Sequence, residues 1–225
     1  MSGRECFLVS GGSGGIGAAT CEALAAAGYR PVVGYCRAAA AAAEVAERTG
    51  GLALALDLAS DTSIDQAVAQ LACAEGRLAG AVLAGSPPLA LAPFGKIDPA
   101  DLQAQWQVNV LGPQRLLASL VRQCWRPHKD GVVIGVLSQA MGDASSGAAS
   151  GLGAYVIAKY GMAGLLAVLA ADYPWLRVGS VRPGYTETRM LSAFDERFLA
   201  QQREKTPFQT PQEVATQILM EVNRK

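Results

Sequence analysis

Ser10-Gly-Gly-Ser-Gly-Gly-Ile-Gly17 is the stretch from which the rest of the chain can be read. It follows an apolar run, Cys6 to Ser10, and opens a segment of helical period near Ile16, so it lies where a strand hands over to a helix. Backbone N–H groups and the helix dipole meet at such a junction and can hold a pyrophosphate, which side chains would keep at a distance. The loop is so rich in glycine that it satisfies GxGxxG from Gly12, GxxGxxG from Gly11, and GxxxGxG through Gly11, Gly15 and Gly17. On its own it names no subfamily.

Outward from the loop the same alternation repeats. Apolar runs at Pro31 to Tyr35, Leu52 to Leu58, Ala79 to Leu83, Gly131 to Leu137 and Arg177 to Val181 are separated by helical segments beginning near Ala38, Ser63, Pro99 and Leu152, with a last one from about Pro211. The pattern predicts parallel strands joined by crossover helices: an α/β, doubly wound sheet of six strands with helices on both faces. Ala39 to Ala43 reads as a short surface helix, since alanine is the best helix former. Gln139 to Gly153, rich in Gly, Ser and Ala, reads as a mobile loop.

Composition narrows the classes. A chain of 225 residues with 51% hydrophobic content suits one domain over 1–225, and a formal net charge of +0 argues against disorder and against a nucleic-acid partner. No secretory h-region fits before the glycine loop. Gly, Pro or charge interrupts each apolar run short of the roughly 18 residues of a membrane helix, so a cytoplasmic protein without a membrane partner is expected. Cysteines 6, 21, 36, 73 and 124 form no CxxC and read as buried free thiols rather than metal ligands. His128 is the single histidine and no GxSxG accompanies it, so it reads as a surface residue rather than part of a hydrolase triad. Trp106, Trp125 and Trp175 read as packing or interface residues.

Tyr155-Val-Ile-Ala-Lys159 sets a phenol and an ammonium on one helical face. A nearby cation favours phenolate, so Lys159 is expected to lower the Tyr155 pKa towards the range of an acid/base catalyst. From Phe7 to about Val222 the chain resembles the compact single-domain branch of the short-chain dehydrogenases/reductases, and is similar to the 3-oxoacyl-carrier-protein reductases, on motifs in that family's order. Ser10 to Gly17 looks like TGxxxGxG with Ser for Thr. Asp57 matches the acid that contacts adenine, Asn109 in Val-Asn-Val-Leu-Gly the relay asparagine, Ser138 the substrate serine, and Tyr155 and Lys159 YxxxK. Pro183-Gly184 and Thr188 look like the PGxxxT segment against the nicotinamide, and Pro211 to Ala215 like the start of the last helix.

The resemblance implies a Rossmann-type fold and a carbonyl/alcohol oxidoreductase in which Ser138, Tyr155, Lys159 and Asn109 are catalytic. It implies that Ser10, Gly11, Ser13, Gly15, Ile16 and Gly17 hold the pyrophosphate side of the cofactor. Asp57, Leu58, Ala84 and Gly85 would lie along its adenosine half, and Pro183, Gly184, Thr186 and Thr188 would join Tyr155 and Lys159 at the nicotinamide. It also implies a small-molecule or acyl-thioester substrate and a homodimer built on the helices near Pro99 and Leu152.

Three departures stand out. Val82-Leu-Ala-Gly85 replaces the family's NNAG. The interval from Ser138 to Tyr155 is longer than usual, which leaves Ser145, Ser146 and Ser150 as alternatives to Ser138, although a strand end is the more rigid platform. The family's final strand is missing after the helix from Pro211, which removes one usual tetramer interface. Phe194, Phe198 and Phe208 flank Gln201 to Lys205 in what relatives use as a substrate lid, and this stretch reads either as substrate contact or as a solvated cover. The end of the second strand, Val33-Gly-Tyr-Cys-Arg37, holds no acid to bind ribose hydroxyls, while Arg37 offers a charged fork to a 2′-phosphate. NADP(H) is therefore preferred, with NAD(H) allowed; a solvated Arg37 is the other reading, and Ser13 lacks the basic side chain many NADP enzymes carry there.

Overall fold

The computed structural model describes residues 4–73 and 77–224; the Cys73 thiol lies outside what is described. Its strands are β1 (Cys6–Ser10), β2 (Arg30–Tyr35), β3 (Leu52–Ala55), β4 (Leu78–Leu83), β5 (Val132–Val136) and β6 (Arg177–Val181). All neighbours run parallel, in the order β3-β2-β1-β4-β5-β6. The helices are α1 (Gly15–Ala26), α2 (Ala39–Thr49), α3 (Asp61–Cys73), α4 (Pro99–Trp106), α5 (Gly112–Leu120), α6 (Gly153–Asp172), α7 (Glu196–Lys205) and α8 (Pro211–Asn223).

Strands buried on both faces must be apolar throughout, which is why Cys-Phe-Leu-Val-Ser of β1 is buried at every position. Alternate side chains then feed two cores. Leu8, Leu83 and Val133 pack with Ile64 of α3, Leu116 of α5 and Met162 of α6. Phe7, Val9, Val82 and Ile134 pack with Leu24 of α1, Val45 of α2 and Ile218 of α8. The strand order reverses between β1 and β4, and in open parallel sheets the crevice beyond that point is where ligands sit.

A π turn at Gln107–Leu111 runs α4 into α5. Pro113 has no N–H to offer the carbonyl of Asn109 four residues earlier, so the α-helical bond is lost at that residue.

Several expectations change. β3 stops at Ala55 rather than Leu58, because Asp57 turns the chain: its Oδ1 accepts from Ala59 N (2.9 Å) and its N–H donates to Ser63 Oγ (2.9 Å). Asp61, not Ser63, then begins α3. The 139–153 stretch, read as a loop, carries bonds of its own: a 3-10 turn spans Gln139–Met141, and Asp143 Oδ1 accepts from Ser145 N and Oγ (both 2.7 Å) and Ser146 N (2.8 Å) and Oγ (3.0 Å). Cys6 and Cys21 are buried, and burial holds the Cys21 thiol up at about 12, but Cys36, just past the end of β2, is exposed. The 20-residue α6 contains a window of mean hydropathy 1.6, long and apolar enough by length and composition to cross a membrane, against the expectation that every run is interrupted. It packs on β5, β6 and α4, and buries the charged Lys159.

Candidate active site

The glycine loop closes over the switch point, and the structure separates its three overlapping spacings. Gly11 has φ +66, and a Cβ there would stand 2.8 Å from Gly85 Cα; one at Gly17 would stand 2.1 Å from Gly11 O. A Cβ on Gly15 would meet Thr188 Cγ2 at 2.7 Å, whereas at Gly14 it would find only Gly11 O at 3.4 Å. Gly11, Gly15 and Gly17 are thus the positions where a side chain is worst tolerated in the GxxxGxG frame. Gly14 caps α1 without a side-chain bond, so the helix's first N–H groups are left for an anion. Ser10 Oγ accepts from Gly85 N (3.2 Å) and fastens this loop to the one after β4. A pyrophosphate-bearing cofactor fits this cradle; Ile16 is half-buried beside it and Ser13 lies in the turn.

Ser138, Tyr155 and Lys159 converge beyond β5. Ser138 Oγ accepts from Ala140 N (3.1 Å), which leaves its O–H free to donate. Tyr155 is 8% exposed; burial pushes its phenol pKa up, and the Ser138 hydroxyl beside it pulls in the other direction. Ser145, Ser146 and Ser150 are exposed, the first two held by Asp143. Lys159 Nζ donates to Val136 O (2.8 Å) and lies 5.5 Å from the Tyr155 ring centroid, and burial lowers its pKa to about 7. The expected lowering of Tyr155 by Lys159 is therefore reversed: burial governs the phenol, and the ammonium is directed at a strand carbonyl.

Asn109, fully buried on the π turn, donates from Nδ2 to Gln105 O and Gln105 Oε1 (3.0 Å each). Leu89, Ala140, Ala149 and Phe194 pack against Leu152, Tyr155 and Val156, giving the phenol an apolar wall. Phe194 stacks on Phe198 (5.2 Å) and Tyr185 on Phe208 (5.0 Å), and Arg203 of α7 holds Glu187 (3.0 Å) while lying 4.6 Å from the Phe208 ring. Of these rings, Phe194 is the one that packs against the Leu152, Tyr155 and Val156 cluster.

Arg37 and Cys36 are exposed at the end of β2, with Asp57 near the Cys36 thiol. Leu58 is buried, its Cδ1 3.5 Å from where a Gly85 Cβ would lie, and Ala84 is half-buried. Pro183 O accepts from Gln139 N (2.9 Å), and buried Thr186 donates from Oγ1 to Gly184 O (3.1 Å). Two amides went unread in the sequence. Gln209 Oε1 accepts from Gly184 N (3.0 Å), and Gln105 bonds Asn109. The second was open to the rule that amides four apart on a helix pair. His128 is exposed, and Trp125 is fully buried with Nε1 donating to Leu78 O (2.9 Å).

The short chain dehydrogenase family model matches residues 5–197. The chain belongs to that family. As a short-chain dehydrogenase/reductase it is an NAD(P)-dependent oxidoreductase. It is similar to the 2,5-dichloro-2,5-cyclohexadiene-1,4-diol dehydrogenase of Sphingobium indicum, 31% identical over 202 residues that cover 85% of this chain and 76% of that enzyme. It is 28% identical over 195 residues to the sorbitol dehydrogenase of Cereibacter sphaeroides, covering 85% and 74%. Its fold matches the crystal structure of 3-ketoacyl-(acyl-carrier-protein) reductase from Brucella melitensis, complexed with NADH, with TM-score 0.86 at 22% identity over 99% of this chain and 92% of that one.

Proposed function

We propose that this dehydrogenase/reductase is an NADPH-dependent carbonyl reductase of the cytoplasm that turns a ketone into a secondary alcohol, with 3-oxoacyl thioesters among the candidate substrates. The observation that carries the reading is the buried Tyr155 phenol, whose raised pKa keeps its proton at neutral pH, beside a Ser138 hydroxyl free to donate. Bound NADPH supplies the hydride. Tyr155 gives its proton to the carbonyl oxygen as that oxygen gains charge, while Ser138 donates a hydrogen bond to it, an interaction strongest where the charge develops. Lys159, with a pKa lowered to about 7, is able to pass a proton back to the phenolate, and Asn109 connects it towards solvent through water. Glycines 11, 15 and 17 with the α1 N-terminus hold the pyrophosphate, Arg37 reads the 2′-phosphate, and Pro183, Gly184, Thr186 and Thr188 line the nicotinamide side.

The apolar wall of Leu89, Leu152, Val156 and Phe194 favours a ketone with a hydrocarbon body over a sugar-like substrate, whose hydroxyls would find no partners there. An alcohol dehydrogenase working oxidatively is the second reading, and a silent dinucleotide sensor is disfavoured by the presence of both Tyr155 and Lys159. A spectrophotometric screen of NADPH oxidation against ketones and acetoacetyl thioesters tests the proposal. Turnover of apolar ketones is expected; turnover confined to NAD-linked oxidation of polyols would overturn it.

A further inference from the structure

Gln105 belongs to none of the motifs, yet it is 3% exposed and lies one helical turn before Asn109. Its Nε2 donates to Pro88 O (2.9 Å) and its Oε1 accepts from Asn109 Nδ2 (3.0 Å), which also donates to the Gln105 backbone O (3.0 Å). These bonds fix both amides. Asn109 presents nitrogen to two acceptors, and the opposite orientation would set its carbonyl against both, so Oδ1 must face the other way. There it is buried and unpartnered. Pro87 and Pro88 have no N–H of their own, and the Gln105 amide supplies the donor that ties down the Pro88 carbonyl. Ser86 on the same loop holds a second buried, unpartnered oxygen.

We infer that Gln105 is a positioning residue for the proton relay: it turns the Asn109 amide so that Oδ1 is presented as a free buried acceptor, and it locks the loop after β4 against the π turn. The inference rests on the relay role proposed for Asn109. A buried acceptor with no protein partner is a seat for ordered water or for a donor on the relay path, and the segment carrying it packs on α6, the helix of Tyr155 and Lys159. Without the Gln105 acceptor, Asn109 is free to rotate its nitrogen towards the relay, where a donor would replace the acceptor.

The test uses the purified protein with NADPH and a ketone that it reduces. Gln105→Met keeps the side-chain length and removes both bonds; Gln105→Glu, protonated by its burial, keeps an acceptor for Asn109 and an O–H that can donate to Pro88 O. Gln105→Met is expected to lower kcat about 10- to 100-fold, as small misplacements at a reacting centre do, with NADPH affinity within twofold of wild type. Its solvent deuterium isotope effect on kcat is expected to rise and the pH profile of kcat to shift, because proton delivery becomes limiting. Gln105→Glu is expected to recover most of the rate, and it carries the test should Gln105→Met not fold: a tenfold or greater loss in folded Gln105→Glu overturns the proposal. In an Asn109→Ala background Gln105→Met is expected to add no further loss. Side-chain amide protons of Asn109, assigned by their disappearance in Asn109→Ala, are expected to exchange faster in Gln105→Met. A kcat loss with unchanged isotope effect and pH profile, or a full Gln105→Met effect in an impaired Asn109→Ala background, overturns the positioning role alone. Full activity of Asn109→Ala overturns the relay reading and this inference with it.

Discussion

Lys159 shows at the scale of one residue how the site and the fold pull against each other. Its pKa falls from 10.5 to about 7 through burial, so in the native state it gives up its proton at a pH where the unfolded chain still holds one. The sign follows from linkage: between pH 7 and 10.5 the unfolded state binds more protons, so stability rises with pH across that window, and the full cost is carried below pH 7. Urea midpoints of wild type and Lys159→Met, followed from pH 6 to pH 10, should shift relative to one another in favour of wild type as pH rises; a constant difference would contradict the burial assigned to Lys159. Arg37 makes a separate claim. Exposed at the end of β2, it should contribute to NADPH but not NADH, so Arg37→Ala is expected to weaken NADPH by about 1.5–3 kcal/mol, the worth of a charged hydrogen bond, in fluorescence titrations. Equal losses for both cofactors would remove it from the 2′-phosphate.

The elements carry predictions of stability. α8 opens with a capping box, Thr210 Oγ1 accepting from Glu213 N (3.2 Å) and Glu213 Oε2 from Thr210 N (2.7 Å), and the carboxylate is held below its usual pKa by those bonds. Thr210→Ala should cost about 1 kcal/mol in chemical denaturation, with no change in cofactor affinity. β1, β4 and β5 were legible because a parallel strand buried on both faces must be an apolar run, and five of the six strands end within about a residue of where the sequence places them. β3 was overread, because Leu56 and Leu58 stay apolar and buried on either side of Asp57, where the chain turns. The loop before α6 was underread: glycine and serine content speaks of freedom, but one carboxylate, Asp143, gathers four donors there. Motif order singled out Ser138, Tyr155 and Lys159, which the structure places beyond β5, whereas the direction of the Tyr155 shift depends on burial, which no motif records. Gln209 was invisible for the same reason, since a buried amide is defined by its partners, whereas the spacing of Gln105 and Asn109 was a signal that went unused.

On the scale of the whole molecule, α4, the π turn and α6 leave Trp106, Leu111, Ile157, Tyr160 and Val168 exposed, Val168 at 60% and Tyr160 at 53%. Apolar side chains spread along two adjacent helices suit a two-fold contact with a second copy. Light scattering should return a dimer, and Val168→Asp should shift it towards monomer; a tetramer would contradict the assembly expected here. Tyr155 is the proposed proton donor of the hydride-transferring site. The most direct measurement of that role is the single-turnover rate at which Tyr155→Phe reduces a ketone substrate, taken beside its NADPH affinity. The expected result is unchanged NADPH binding with turnover lowered by about 10² to 10⁴-fold or more, as for loss of a general acid. Tyr155→Phe turning over within a few-fold of wild type would contradict it.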